Sequence, residues 1–168
     1  MKVLVCDIDN TVADQMKSLV NLKKSTSQEN FLNKAYSINH ISKYDVLKNA
    51  IDAINLFKKN NFKIIWLTAR KIKFKEVTEN WLKSNNFPID ELILVDKIAN
   101  KIDVINNIRP DIIIDDCKYN QHNLNPLLAT EFIDAVSSRY NLFVFQNNWN
   151  YIIENFDKVI SNNHYPQI

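Results

Sequence analysis

KVLVCDIDNTVAD, residues 2–14, runs from an apolar segment directly into three aspartates, Asp7, Asp9 and Asp14. The segment KVLVCD (2–7) is short, rich in β-branched valine and not alternating, the pattern of a strand covered on both faces. The same character returns in FKIIWL (62–67), ELILVD (91–96) and DIIIDD (111–116). Between these runs apolar residues recur at helical spacing: Val46, Ala50, Ala53, Ile54 and Phe57, then Val77, Trp81 and Leu82, then Ile102, Ile105 and Ile108. Strands alternating with helices predict parallel βαβ units, hence an α/β fold with a central parallel sheet in a Rossmann-like three-layer sandwich. A last strand, LFVF (142–145), a helix near 120–137 and another over about 149–160 continue the pattern, and the tail from Ser161 is expected to fray.

Each strand end carries chemistry. In an open parallel sheet the ligand crevice lies beyond the carboxyl ends of the strands. The residues there are Asp7 and Asp9, then Thr68, Ala69 and Arg70, then Asp115 and Asp116. Singly, Asp and Thr are ordinary turn and cap residues. Together they set four carboxylates against a hydroxyl and a guanidinium, and carboxylates so crowded need a cation to stay ionised. An all-oxygen set favours a hard metal such as Mg²⁺, with Asp7, Asp9, Asp115 and Asp116 as candidate ligands. A calcium EF-hand aligned on DIDNTVADQMKS fails, because Val12 stands at the turn glycine and Ser18 at the closing glutamate. Asp14 reads as a helix cap or surface residue.

The chain contains no glycine, which excludes the P-loop and the glycine-rich dinucleotide turn. Turns that need positive φ must then use asparagine, the next most tolerant residue. A length of 168 residues with 46% hydrophobic content suits one domain, 1–168. Thr11 to Asn61 is longer than one crossover helix requires, so a small helical insertion is expected at about 15–46, either a cap beside the site or a solvated excursion. A net charge of +2 does not imply nonspecific nucleic-acid binding. With no apolar run near ~18 residues and no basic and apolar leader, the expectation is a soluble cytoplasmic protein without membrane contact. Cys6 and Cys117 read as reduced core thiols. His40, His122 and His164 read as surface or loop residues, Trp66 and Trp81 as packing, and Trp149 as an anchor for the last helix or a border of the crevice. The stretch Lys71–Lys75 reads as a solvated helix start or an attractor of polyanions.

The set DxDNT (7–11), LTAR (67–70), a lysine opening a helix, and IIIDD (112–116) resembles the haloacid dehalogenase superfamily of phosphohydrolases over roughly residues 1–120. The resemblance implies that Asp7 is the nucleophile, forming an aspartyl-phosphate, and that Asp9 is the general acid and base. It implies a substrate-binding set of Asn10, Thr68, Ala69 and Arg70, with Arg70 forking onto phosphate. The motif lysine is Lys101, which opens KIDVINNI, or else Lys97. Mg²⁺ is implied on Asp7, the Asp9 carbonyl, and one or both of Asp115 and Asp116. An acid at Asp9 points to phosphate substrates over dehalogenation. The layout of LTAR, WLKSNNF (81–87) and the carboxy-terminal tryptophan segment resembles the nucleotidase and polynucleotide-phosphatase-like branches. A nucleotide or a phosphorylated nucleic-acid end is therefore the implied substrate, with a sugar phosphate or other small metabolite as the alternative. A regulatory or binding protein on the same fold is the non-enzymatic reading; a phospho-receiver domain is disfavoured by its different strand order.

Overall fold

Five parallel strands form one sheet in the order β3-β2-β1-β4-β5 in a computed structural model that describes residues 1–25, 34, 37–97, 99–117 and 126–161. They are β1 (Lys2–Cys6), β2 (Phe62–Thr68), β3 (Glu91–Leu94), β4 (Ile112–Asp115) and β5 (Leu142–Val144). Cys6 lies opposite both Trp66 and Ile114, so the carboxyl ends of the three central strands are level. The fold is the expected α/β sandwich with an all-parallel sheet.

Alternation along the central strands divides the core in two. Leu4, Cys6, Ile64, Trp66, Ile112 and Ile114 point to one face. There they meet α3 (Ala50–Lys59), α4 (Lys75–Ser84), α7 (Trp149–Glu154) and α8 (Phe156–Ser161). Val5, Ile65, Leu67 and Ile113 point to the other, against α5 (Ala99–Ile108) and α6 (Pro126–Ser137). Full burial of large side chains such as Phe57, Trp66 and Phe132 contributes about 2–3 kcal/mol each. Cys6 and Cys117 are buried free thiols on opposite faces.

Several expectations shift. β3 is not buried on both faces; as an edge strand it has an exposed Glu91 and half-buried Leu92, Ile93 and Leu94. Val46 does not begin a helix but bridges Ala13, and α3 starts only after Asn49 turns left-handed. The helix expected over 149–160 is two, divided at Asn155. The helix near 120–137 is α6 from Pro126, and the part of that expectation on 118–125, like the tail from 162, lies outside the described residues. Asparagine does replace glycine: of the seven described residues with positive φ, five are Asn10, Asn49, Asn61, Asn86 and Asn147.

The interval after β1 carries α1 (Gln15–Ser25) and α2 (Ile38–Ile41). Asp14 caps α1 by accepting the Lys17 N–H at 3.0 Å. The end of the interval is tied to α4, because the Trp81 indole donates to the Tyr44 carbonyl at 2.9 Å. His40 sits edge-on to Tyr44 with its Nε2 at 3.2 Å from Ser18 Oγ, while His122 and His164 lie outside the described residues. Among the described residues no helix is long and apolar enough to cross a membrane.

Candidate active site

From β1 the chain proceeds to β2 and β3 on one side, then returns to place β4 on the other. The strand order therefore reverses between β1 and β4, and a crevice opens at their carboxyl ends. Asp7 leaves β1 with its N–H still paired to the Ile114 carbonyl at 2.9 Å. The Ile8 carbonyl then accepts from Thr11, Val12 and Ala13 at 3.3, 3.0 and 2.9 Å, which winds DIDNT into a tight turn. Asn10 adopts φ 58° there, and its Oδ1 accepts the Met16 N–H at 3.0 Å. At the end of β4, Cys117 turns left-handed at φ 54° and donates its N–H to Asp115 Oδ1 at 2.8 Å. A non-glycine residue in that region costs about 1–2 kcal/mol, a strain typical of functional loops.

Into this crevice α5 projects Lys101, whose side chain is almost wholly buried. Its Nζ donates to Asp7 Oδ1 at 2.6 Å and to Asp115 Oδ2 at 2.9 Å. Thr11 Oγ1 donates to Asp7 Oδ2 at 3.3 Å and accepts the Asp116 N–H at 3.2 Å, linking the two strand ends. Asp7, Asp115 and Asp116 are all buried and offer carboxylate oxygens within 4.8 Å of one another. Burial, with Asp115 and Asp9 nearby, pushes Asp7 up to about 7 despite the opposing Lys101 ammonium. Burial alone would lower Lys101, but Asp115 and Asp7 outweigh it and hold the lysine above its usual value. Three buried carboxylates around one ammonium leave excess negative charge, which an oxygen-ligated cation would balance. The donor set therefore fits a hard divalent metal.

Arg70 is held by partners within the protein. Its Nε and Nη2 fork onto both oxygens of Asp9 at 2.9 and 2.7 Å, and Nη1 donates to Thr78 Oγ1 at 3.0 Å. The Tyr44 ring covers the guanidinium, 5.5 Å from its carbon. Burial would lower Arg70, but the Asp9 carboxylate prevails and raises it. Thr68 is buried and its Oγ1 accepts the Arg70 N–H at 3.3 Å; Ala69 packs against the core. The structure thus gathers Asp7, Lys101, Asp115 and Asp116 in one cluster and Asp9 with Arg70 in a second. Lys97 stands exposed, its carbonyl accepting the Asn100 N–H at 3.1 Å. Burial drives both thiols toward the neutral form, Cys6 with help from Asp7 and Cys117 with help from Asp115.

The model of the LNS2 domain of PITM 1-3 matches residues 4–117, more than half the chain and all of the cluster. The chain belongs to the LNS2 branch of the haloacid dehalogenase superfamily. Several solved structures share the fold. A hydrolase from Streptococcus pneumoniae TIGR4 aligns at TM-score 0.60 and 12% identity, covering 94% of this chain and 100% of its own. A Bacillus anthracis class C acid phosphatase with tungstate bound aligns at 0.59 and 14% identity, covering 99% of this chain and 81% of that one. The chain also resembles part of the Pnkp1/Rnl/Hen1 complex at 0.56 and 15% identity, with 86% of this chain covered but only 45% of that chain. At these identities the likeness speaks to the fold. No curated protein matches the sequence.

Three site residues were not singled out from sequence. Thr11 stood in DxDNT as a motif letter. Thr78 falls on the inward period of α4 with Trp81 and Leu82, so a polar residue among them is a readable signal. Tyr44 had none.

Proposed function

We propose that the chain is a Mg²⁺-dependent phosphomonoesterase that works through an aspartyl-phosphate on Asp7. The observation that carries this reading is the buried Lys101 bridging Asp7 and Asp115 beside Asp116. An Asp7 oxygen attacks phosphorus, the bond to the leaving oxygen breaks, and Asp9 gives that oxygen a proton. Asp9 then takes a proton from water, the water oxygen attacks phosphorus, and inorganic phosphate departs with Asp7 restored. Lys101 and Thr11 hold the Asp7 carboxylate, one oxygen each, against rotation. Both Asp9 oxygens are engaged by the Arg70 fork, and protonation of one of them weakens its bond to the guanidinium and favours its movement out of the fork. That movement releases a guanidinium N–H for a phosphate oxygen, which reconciles the pairing with the expected role of Arg70. Asp7, Asp115, Asp116 and the Asp9 carbonyl would hold Mg²⁺, which supplies the positive charge that lets a phosphate dianion approach these carboxylates. Within the interval 15–46, the described stretch 37–46 would serve as part of a small lid, tied to α4 through Tyr44.

The substrate class we favour is a nucleotide or a phosphorylated nucleic-acid end. LTAR and the carboxy-terminal tryptophan segment support it, as does the likeness to the Pnkp1-containing complex. A screen of nucleotides, 3′- and 5′-phosphorylated oligonucleotides and sugar phosphates with Mg²⁺ should show the highest kcat/KM on a nucleotide or an oligonucleotide end. Preference for a sugar phosphate would overturn the substrate class, and no turnover of any phosphate would overturn the hydrolase.

Protons and metal compete for Asp7. Because its carboxyl is raised to about 7, Mg²⁺ affinity should increase about tenfold per pH unit below that value and level off above it. Calorimetric titration from pH 5.5 to 8.5 measures this; a flat profile would place the metal away from Asp7.

A further inference from the structure

We propose that Trp149 is a positioning residue for Asp7 and Asp116, acting through Thr11 from a part of the chain beyond the residues that the family model matches. This rests on the phosphatase reading for what the positioned groups do, though not for the positioning itself.

The indole Nε1–H of Trp149 donates to the Thr11 carbonyl at 2.8 Å, across 138 positions of sequence. Both residues are essentially inaccessible to solvent. Thr11 is the residue whose hydroxyl holds Asp7 Oδ2 and receives the Asp116 N–H. Lys101 holds the other Asp7 oxygen, so Thr11 is the second of two points that set the carboxylate's rotation. Holding the Thr11 carbonyl fixes the plane of the Thr11–Val12 peptide, and with it the backbone position from which the Thr11 hydroxyl reaches Asp7 and Asp116.

The same segment grips the other strand end. Just past β5, the Phe145 N–H donates to the Asp115 carbonyl at 2.8 Å. The chain then turns left-handed at Asn147, and Asn148 Oδ1 caps α7 by accepting the Tyr151 N–H at 3.1 Å. That reversal brings the Trp149 ring onto Phe145, with centroids 4.7 Å apart. Residues 145–149 therefore brace the loop after β1 and the end of β4 from one side. The matched region ends at residue 117, so this brace comes from outside it.

Packing and donation can be separated by experiment. Trp149→Phe keeps an aromatic ring against Phe145 and removes the donor; site-specific β-benzothienylalanine keeps the bicyclic shape and also lacks the N–H. In both, kcat on a generic aryl phosphate should fall about tenfold or more with KM unchanged, and the rise in melting temperature given by Mg²⁺ should shrink. Phe156→Leu loosens the core cluster that also buries Trp149 but leaves residues 145–149 and the indole donor in place, and should keep kcat within about twofold. If the benzothienyl protein matches the parent in kcat and in Mg²⁺ response, or if Phe156→Leu loses as much kcat as Trp149→Phe, positioning is overturned and Trp149 only packs. Should the parent turn over no phosphate, the hydrolase reading fails on its own. The Mg²⁺ response then still decides this one: a smaller response in the benzothienyl protein supports it, and an equal response overturns it.

Discussion

Asp7→Asn should lower phosphatase turnover by roughly 10³-fold or more and at the same time stabilise the metal-free protein above pH 7. The first effect follows from the proposed chemistry, since an amide cannot form the acyl phosphate. The second follows from the site's electrostatics. Burial raises the Asp7 carboxyl from its ordinary 3.8 to about 7. A group that binds its proton more tightly in the fold than in the unfolded chain contributes no penalty below the lower value. It costs stability progressively as pH rises from about 4 to about 7, and the loss is then constant. Asparagine has no proton to lose, and its carbonyl oxygen can still accept from Lys101, so the variant escapes that penalty. The gain at pH 8 should be on the order of 1–3 kcal/mol, discounted because Lys101 is a close partner, and it should vanish by pH 4. Urea unfolding in EDTA at both pH values measures the stability, and aryl phosphate hydrolysis measures the activity. A variant that keeps turnover would sink the covalent mechanism. One that is less stable than the parent at pH 8 would mean that the Asp7 charge is welcome in the fold without metal. Activity opposed to stability at one carboxyl is what a nucleophile held in a dry, crowded site should show.

That opposition was partly legible in the sequence. The unbroken apolar runs ending in DID and IDD located two strand ends, and a parallel sheet brings such ends together wherever the strands sit. The order of the strands is not written in any one of them. ELIL and IIID look alike as segments, yet one is half open at the sheet edge and the other is enclosed near its centre. The break at Asn155 was hidden because Trp149, Ile152, Phe156 and Val159 keep a helical period straight through it. Asparagine at positive φ could be anticipated because a chain without glycine has few alternatives. The direction of Arg70 could not. Sequence places it at a strand end, where phosphate is a natural partner. Its actual partners, Asp9, Thr78 and Tyr44, come from three other segments, and only their packing decides which acceptor the fork meets. Thr11 and Trp149 are alike in this respect: each residue type was visible, and the bond between them was not.

Lys101 tests the cluster from the opposite side. Lys101→Met removes the ammonium that contacts Asp7 and Asp115 while keeping a long flexible side chain in the space. Deleting one member of a buried ion pair leaves its partner uncompensated and costs about 3–5 kcal/mol. The cost should depend on pH. At pH 8 the Asp7 and Asp115 carboxylates would both face the deficit. At pH 5 Asp7, raised to about 7 even beside the lysine, is already protonated in the parent, so less is lost. Without the lysine Asp7 rises further, which means the unfolding midpoint of the variant should fall with increasing pH more steeply than that of the parent. Mg²⁺ bound by the carboxylates should restore part of the stability, since a cation replaces a cation. It should not restore turnover, because the Asp7 oxygen that Lys101 oriented is no longer held. Lys97→Ala serves as the comparison: exposed and outside the cluster, it should change stability by less than about 0.5 kcal/mol and leave activity alone. Equal small effects from the two lysines would mean that the buried contact contributes neither to the fold nor to the chemistry. A large, pH-dependent loss confined to Lys101, reversed by metal in stability but not in rate, would make this lysine both a structural counter-ion in the metal-depleted protein and a catalytic group in the metal-loaded one.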